Sequence, residues 1–147
     1  MAIILNYTTK VPVETTISEI QKALAQIKIT AMMSEYDDDG VITGLAFRIN
    51  TQHGVVSYRL PANIDSIYTF LQKHKGIDRN AYRTREHACR VAWRIVKDWV
   101  EAQVALIQAE QADKEQIFLP YAQTHSGSTV YELFQSQGQK LLALENK

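Results

Sequence analysis

The chain is poor in the parts from which covalent and metal frameworks are built. Its only cysteine among 147 residues is Cys89, which excludes an internal disulfide and suits a reducing compartment. With six glycines and three prolines it has no low-complexity or linker-like stretch, and no internal repeat is visible. No apolar run approaches the length of a membrane span, and Met1–Tyr7 lacks the charged flank and length of a signal peptide. The expectation is a soluble, cytoplasmic protein with no membrane partner. The formal net charge is zero, which argues against a dedicated duplex-DNA binder. No glycine-rich phosphate loop occurs. His53, His74, His87 and His125 stand too far from one another and from Cys89 for zinc-ligand spacing, so neither metal nor cofactor is expected. His87 and His125 lie on and after the longest helical stretch, but no nucleophile accompanies either, and no enzyme is expected.

What is present is an ordinary globular composition, 46% apolar and 22% charged. The length suits a single domain, 1–147, with a sheet-forming half (1–60) and a helical half (61–147). Ala2–Tyr7 reads as a short buried strand ended before Pro12. Thr16-Ile17-Ser18-Glu19 matches a capping box, and Ile17, Ile20, Leu24 and Ile27 form the apolar stripe of the helix behind it. From Ala31 the period changes to two. The clusters Asp37-Asp38-Asp39-Gly40 and Asn50-Thr51-Gln52-His53-Gly54 separate β-branched runs, which predicts a three-stranded meander. The expected class is α+β: a four-stranded, mostly antiparallel sheet (β-α-β-β-β) with Arg48 and Arg59 on its polar face, followed by two to three helices.

Asn63 is placed to cap a helix carrying Ile64, Ile67, Tyr68 and Leu71, with Lys73–Gly76 at its end. Arg85–Leu119 then holds both tryptophans with no glycine or proline before Pro120, and reads as one long helix. Ala88, Ala92, Ile95, Trp99, Ala102, Leu106 and Ala109 form a heptad-like seam, and Trp93, Val96, Val100 and Ile107 a second stripe. So wide an apolar arc calls for two partners. The C-terminal segment or another copy of the chain would serve, so a homo-oligomer through this helix is expected. Thr129-Val130-Tyr131-Glu132 is a further capping-box pattern, opening a last helix from Val130 to Leu144 that Gly138 interrupts.

Three features could carry chemistry. The acids Glu35, Asp37, Asp38 and Asp39 have the oxygens a hard cation wants, but not the alternation of a calcium loop; a hairpin turn explains them. Cys89 lies between the polar and apolar sides of its helix, as a packing cysteine does. The basic segment is the most informative. Residues 73 to 98 hold eight Lys or Arg against three acids, a net of +5, so the remainder of this neutral chain carries −5. Arg90, Arg94 and Lys97 share a face. Together with Arg79, Arg83 and Arg85, and with Tyr82 as a stacking surface, they could grip phosphates. The competing reading is a solvated face, because Glu86–Arg90, Arg94–Asp98 and Lys97–Glu101 are all i, i+4 pairs. Arg79, Arg83 and Arg85 have fewer acids near them in sequence.

The run Ala92–Ile107, with Phe118-Leu119-Pro120-Tyr121, Ser128–Glu132, Glu35–Gly40 and Tyr58–Pro61, resembles small proteins encoded by bacteriophages, prophages and other mobile elements. The resemblance spans most of the chain. It brings no activity and no functional residues with it. What it implies is an accessory role, in DNA transactions or in disabling a host defence. The expected function is therefore a non-catalytic accessory protein binding a phosphate-bearing ligand, nucleic acid or a nucleotide signal, through Arg79, Tyr82, Arg83, Arg85, Arg90 and Arg94. The alternative is a protein–protein inhibitor of a host immune complex, such as an anti-CRISPR protein, with the acidic run imitating nucleic-acid charge.

Overall fold

A computed structural model describes residues 3–143, the side chain of Gln139 aside. The order is α1 (Val13–Ala25), β1 (Ala31–Tyr36), β2 (Ile42–Thr51), β3 (Gly54–Pro61), α2 (Ile64–Lys73), α3 (Arg85–Gln108), α4 (Lys114–Phe118) and α5 (Val130–Leu141). Short 3₁₀ turns occupy Asn80–Arg83 and Leu119–Tyr121. The class is α+β, with an antiparallel sheet in the order β1-β2-β3.

The meander follows from local chemistry. Asp37 turns its carboxylate back to accept from the amides of Asp39 and Val41, both at 2.9 Å, and Gly40 supplies the positive φ that closes the turn. Gly54 does the same between β2 and β3. The pleat then sends Leu45, Phe47, Ile49, Tyr58 and Leu60 into the core. Arg48 and Arg59 lie on the opposite face, as the alternation predicts, and Arg59 pairs there with Glu35 at 2.7 Å.

The sheet has three strands among the described residues, not four. Of the segment expected to be the first strand, Ala2 lies outside the described residues. The remainder folds into turns: Tyr7 bonds back to the Ile4 carbonyl, Thr9 to that of Asn6, and Asn6 adopts a φ of 66°. Ile3 and Ile4 still pack on the core, but with a backbone that cannot join a ladder. The outer edge of β3 is met instead from downstream, where Ala122 bridges Tyr58 and Gln123 donates to the Ser57 carbonyl at 2.8 Å.

Two helix boundaries also differ from expectation. α1 begins one turn earlier than the Thr16–Glu19 pattern implies, with Pro12 at its N-cap and no side chain capping it. Thr16 is instead buried within the helix, and Glu19 reaches across to α3. The long helix stops at Gln108. Glu110 takes a φ of 59°, and Gln111 and Glu110 donate to the carbonyls of Leu106 and Ile107, closing the end in the manner usually left to glycine. α4 is a separate short helix that returns Phe118 to the core. The last helix opens with both bonds of the Thr129–Glu132 capping box. It runs through Gly138 without a break to Leu141, where Leu142 turns extended, three residues short of the expected end at Leu144, a residue outside the described ones.

α3 has α1 and α2 alongside it and meets the sheet through Trp93. Trp93 is fully buried and donates its indole N–H to the Ile42 carbonyl at 3.2 Å. Farther along, Trp99 meets Phe118 and Tyr121 edge-on, and Phe118 in turn meets Phe47. The wide apolar arc is thus covered largely by the chain itself. The buried line runs Trp93, Val100 and Val104, whereas Ala102, Leu106 and Ala109 of the predicted seam face solvent. No helix among the described residues is long and apolar enough to cross a membrane.

Candidate functional site

The N-terminal segment, 3–12, lies as a strap over the first half of α3. Asn6 donates through Nδ2 to Asp98 at 2.8 Å. The Tyr7 carbonyl bonds to Nε2 of His87, a side chain buried by its place beneath the strap. A carbonyl only accepts, so Nε2 carries the hydrogen, and Nδ1 is left to accept from Nη2 of Arg90 at 3.3 Å. The Tyr7 ring meets Tyr82 edge-on, Tyr82 packs against His87, and the Arg79 guanidinium stands 5.9 Å above the Tyr82 ring.

Beyond this contact the strap delivers Lys10 and Pro12 to the wall of a groove of about 790 Å³. The first turns of α1 and α3 line it, together with the hairpin between β1 and β2. Pro12, Val13, Ile17, Val41, Ile42 and Cys89 give it an apolar surface, and Tyr36, 64% exposed, stands at its rim. Its charged residues are Lys10, Arg85 and Arg90 against Glu14 and Glu86. Two helix N-termini with positive dipole ends thus flank the groove, and that of α1 lacks a side-chain cap. Burial pushes the Cys89 thiol up from its ordinary range, partly offset by Arg90 and Arg85, so Cys89 serves as packing in the wall.

The cations meet different fates. Arg85 pairs with Asp65 at 2.5 Å and lies over the Tyr68 ring, but both ends of that pair are exposed. Arg90 pairs with Glu86 at 3.1 Å, a partner whose side chain is 84% exposed. Its Nε is buried with no hydrogen-bond partner, alone in that respect among the described side chains. Arg83 turns away from solvent. Its guanidinium donates to the carbonyls of Leu71 and Gln72 at 2.8 Å each and to those of His74 and Ile77, tying off the end of α2. Arg94, 15% exposed, is held by Glu19 and by the Thr16 hydroxyl and joins α3 to α1. Lys97 is held by Glu101 at 2.8 Å, a contact that raises its pKa above the ordinary lysine value. Arg79 is exposed, with no acid partner among the described residues.

Of the six residues predicted to bind a ligand, the groove therefore takes Arg85 and Arg90. Tyr82 and Arg79 stand behind Arg90, joined to it through His87. Arg83 and Arg94 are structural, because Arg83 satisfies the carbonyls that end α2 and Arg94 ties α3 to α1. Lys10 and Tyr36 were not among the candidates. Nothing within a few residues of either marks them, since the strap and the hairpin bring them to the groove from opposite directions.

No family model matches the chain, and no curated protein or solved structure matches it either.

Proposed function

We propose that the chain is a non-catalytic accessory protein, of the mobile-element kind its sequence resembles, that binds a phosphate-bearing ligand in the groove between α1 and α3. The observation that carries this reading is the state of Arg90. Its Nη1 holds only the exposed Glu86, its Nη2 is taken by His87 at 3.3 Å, and its buried Nε lacks any acceptor. A buried donor without an acceptor costs about 1–3 kcal/mol. An exposed ion pair contributes only about 0–1 kcal/mol, so an incoming anion displaces Glu86 cheaply. Lys10 and Arg85 on the same walls, and the uncapped start of α1, add donors for the same charge.

The test is calorimetric titration of phosphate-bearing ligands into the wild type and two variants. Replacing Arg85 and Arg90 together by Ala should weaken binding by at least tenfold, while Arg79→Ala should leave it within about twofold, as expected for losing charge-assisted hydrogen bonds at one site only. Binding that survives the double replacement unchanged overturns the proposal.

A second reading, a protein–protein inhibitor of a host immune complex, is favoured by one surface. Tyr36 is 64% exposed, and with Val41 it flanks the exposed Asp37, Asp38 and Asp39. Apolar side chains beside a block of acid make a contact surface for a basic protein face. A homo-oligomer through the long helix would have to form on Ala102, Leu106 and Ala109, the stretch left in solvent. In either reading the protein works in the cytoplasm, where Cys89 stays reduced.

A further inference from the structure

We infer that the groove takes a single nucleotide, a nucleoside mono- or diphosphate, and not a strand of nucleic acid. This rests on the reading of the groove as a phosphate site and narrows it. Three observations lead to it.

The first is extent. A groove of about 790 Å³ falls within the range of small-molecule sites, roughly 300–1,000 Å³. The second is what surrounds the cations. A strand-binding surface needs a continuing basic track with stacking platforms. Here the cations are confined to Lys10, Arg85 and Arg90 of the groove lining, and carboxylates accompany them. Glu14 and Glu86 lie in the walls, and Asp37 is close enough to act electrostatically on both Arg85 and Cys89. The successive phosphates of a strand, running on past the groove, would meet those acids. Nor does the track continue along α3, where Arg94 and Lys97 are 15% and 14% exposed and bound to Glu19 and Glu101.

The third is the apolar wall. Val13, Ile17, Val41 and Ile42 give a flat neutral body somewhere to lie, with the Tyr36 ring at the rim. Inorganic phosphate alone would leave that surface wet. A nucleotide places its charge at the arginines and its base against the aliphatic residues, and so uses both kinds of lining.

The experiment titrates the full chain with adenosine 5′-monophosphate, inorganic phosphate and a single-stranded deoxyadenosine 20-mer, at low and moderate salt. Binding is located by amide shifts at Val13, Glu14 and Val41. The inference expects one nucleotide per chain, bound at least tenfold tighter than inorganic phosphate. It also expects the 20-mer to bind no tighter than the nucleotide, and a salt dependence equivalent to about one or two contacts. A 20-mer that binds more than tenfold tighter, with a steep salt slope, overturns the inference but leaves the groove an anion site. So does a nucleotide no tighter than phosphate, because the apolar wall is then unused. If none of the three binds, the phosphate reading falls with it.

Discussion

Arg83 and Leu71 are twelve residues apart, and the guanidinium of the first donates to the carbonyl of the second across 2.8 Å. The same group reaches the carbonyls of Gln72, His74 and Ile77. A side chain with the look of a phosphate ligand is in fact the C-terminal cap of α2. Its charge sits where the helix dipole is negative, and its fork satisfies carbonyls that the helix leaves open. Arg83→Ala should therefore cost stability, about 2–3 kcal/mol, or roughly 5–10 °C in melting temperature. Ligand affinity should stay unchanged. Arg83→Lys should recover less than half of the loss, because an ammonium cannot span several carbonyls. Thermal denaturation followed by circular dichroism checks both, and two variants melting with the wild type would dismiss the cap.

Arg94 and Glu19 make the corresponding tie between α3 and α1, with the Thr16 hydroxyl as a further acceptor. Glu19 is partly exposed, so the pair's own coupling is expected at only about 1 kcal/mol. Arg94→Ala should cost more than that, since the aliphatic stem is also lost from between the helices; Arg94→Met should cost less. A double-mutant cycle in urea with Glu19→Gln measures the coupling. A coupling indistinguishable from zero would reduce Arg94 to packing.

These two arginines show where the sequence was legible. Several contacts closing within about four residues were readable: the Asp37 turn, the Asn63 cap with Ser66 and the Thr129–Glu132 box each need only local chemistry, whereas the Thr16–Glu19 pattern failed because α1 starts after Pro12 and Arg94 takes Glu19. The i, i+4 pairs Arg90–Glu86 and Lys97–Glu101 were readable for the same reason. Arg94 was not, because Asp98 stood one turn away while the actual partner, Glu19, comes from another helix. The end of α3 was missed because Glu110 adopts a conformation that glycine more often signals. The groove was half legible. Its arginines stood out as unusual charge, but Lys10 and Tyr36 reach it only through tertiary structure.

Trp93 links the core to the groove, since its indole N–H holds the carbonyl of Ile42, a groove residue. Trp93→Phe keeps most of the apolar contact and strands that carbonyl, which should cost about 1–2 kcal/mol. Trp93→Ala also opens a cavity and should cost about 3–5 kcal/mol. Equilibrium unfolding gives both values. The phenylalanine variant should in addition perturb the amide resonances of Val41 and Ile42 while leaving β3 unaffected. A perturbation spread evenly over the sheet would contradict the local role of the bond.

The last helix offers a pH-dependent test. α5 packs chiefly on the Leu119–Tyr121 turn, so much of its stability rests on its own N-terminus. There the Thr129 amide donates to the Glu132 carboxylate at 2.9 Å, and the Thr129 hydroxyl accepts from the Glu132 amide at 3.2 Å. The backbone bond from Thr129, and then the contact with its side chain, hold the Glu132 pKa below the ordinary value of 4.5. A depressed carboxyl pKa stabilises the folded form fully above the unfolded value, and the contribution disappears as pH falls through the folded one. The Cα chemical shifts of Val130–Phe134 should therefore stay helical at neutral pH and move toward coil as the pH drops below 4.5. Glu132→Gln should flatten that change, because the amide neither titrates nor attracts the helix terminus as a charge does. Thr129→Ala should weaken the helix at every pH by about 1 kcal/mol, without moving the main thermal transition. An acid transition that persists undiminished in Glu132→Gln would assign it to another carboxylate and leave the capping box without a measurable part in holding α5.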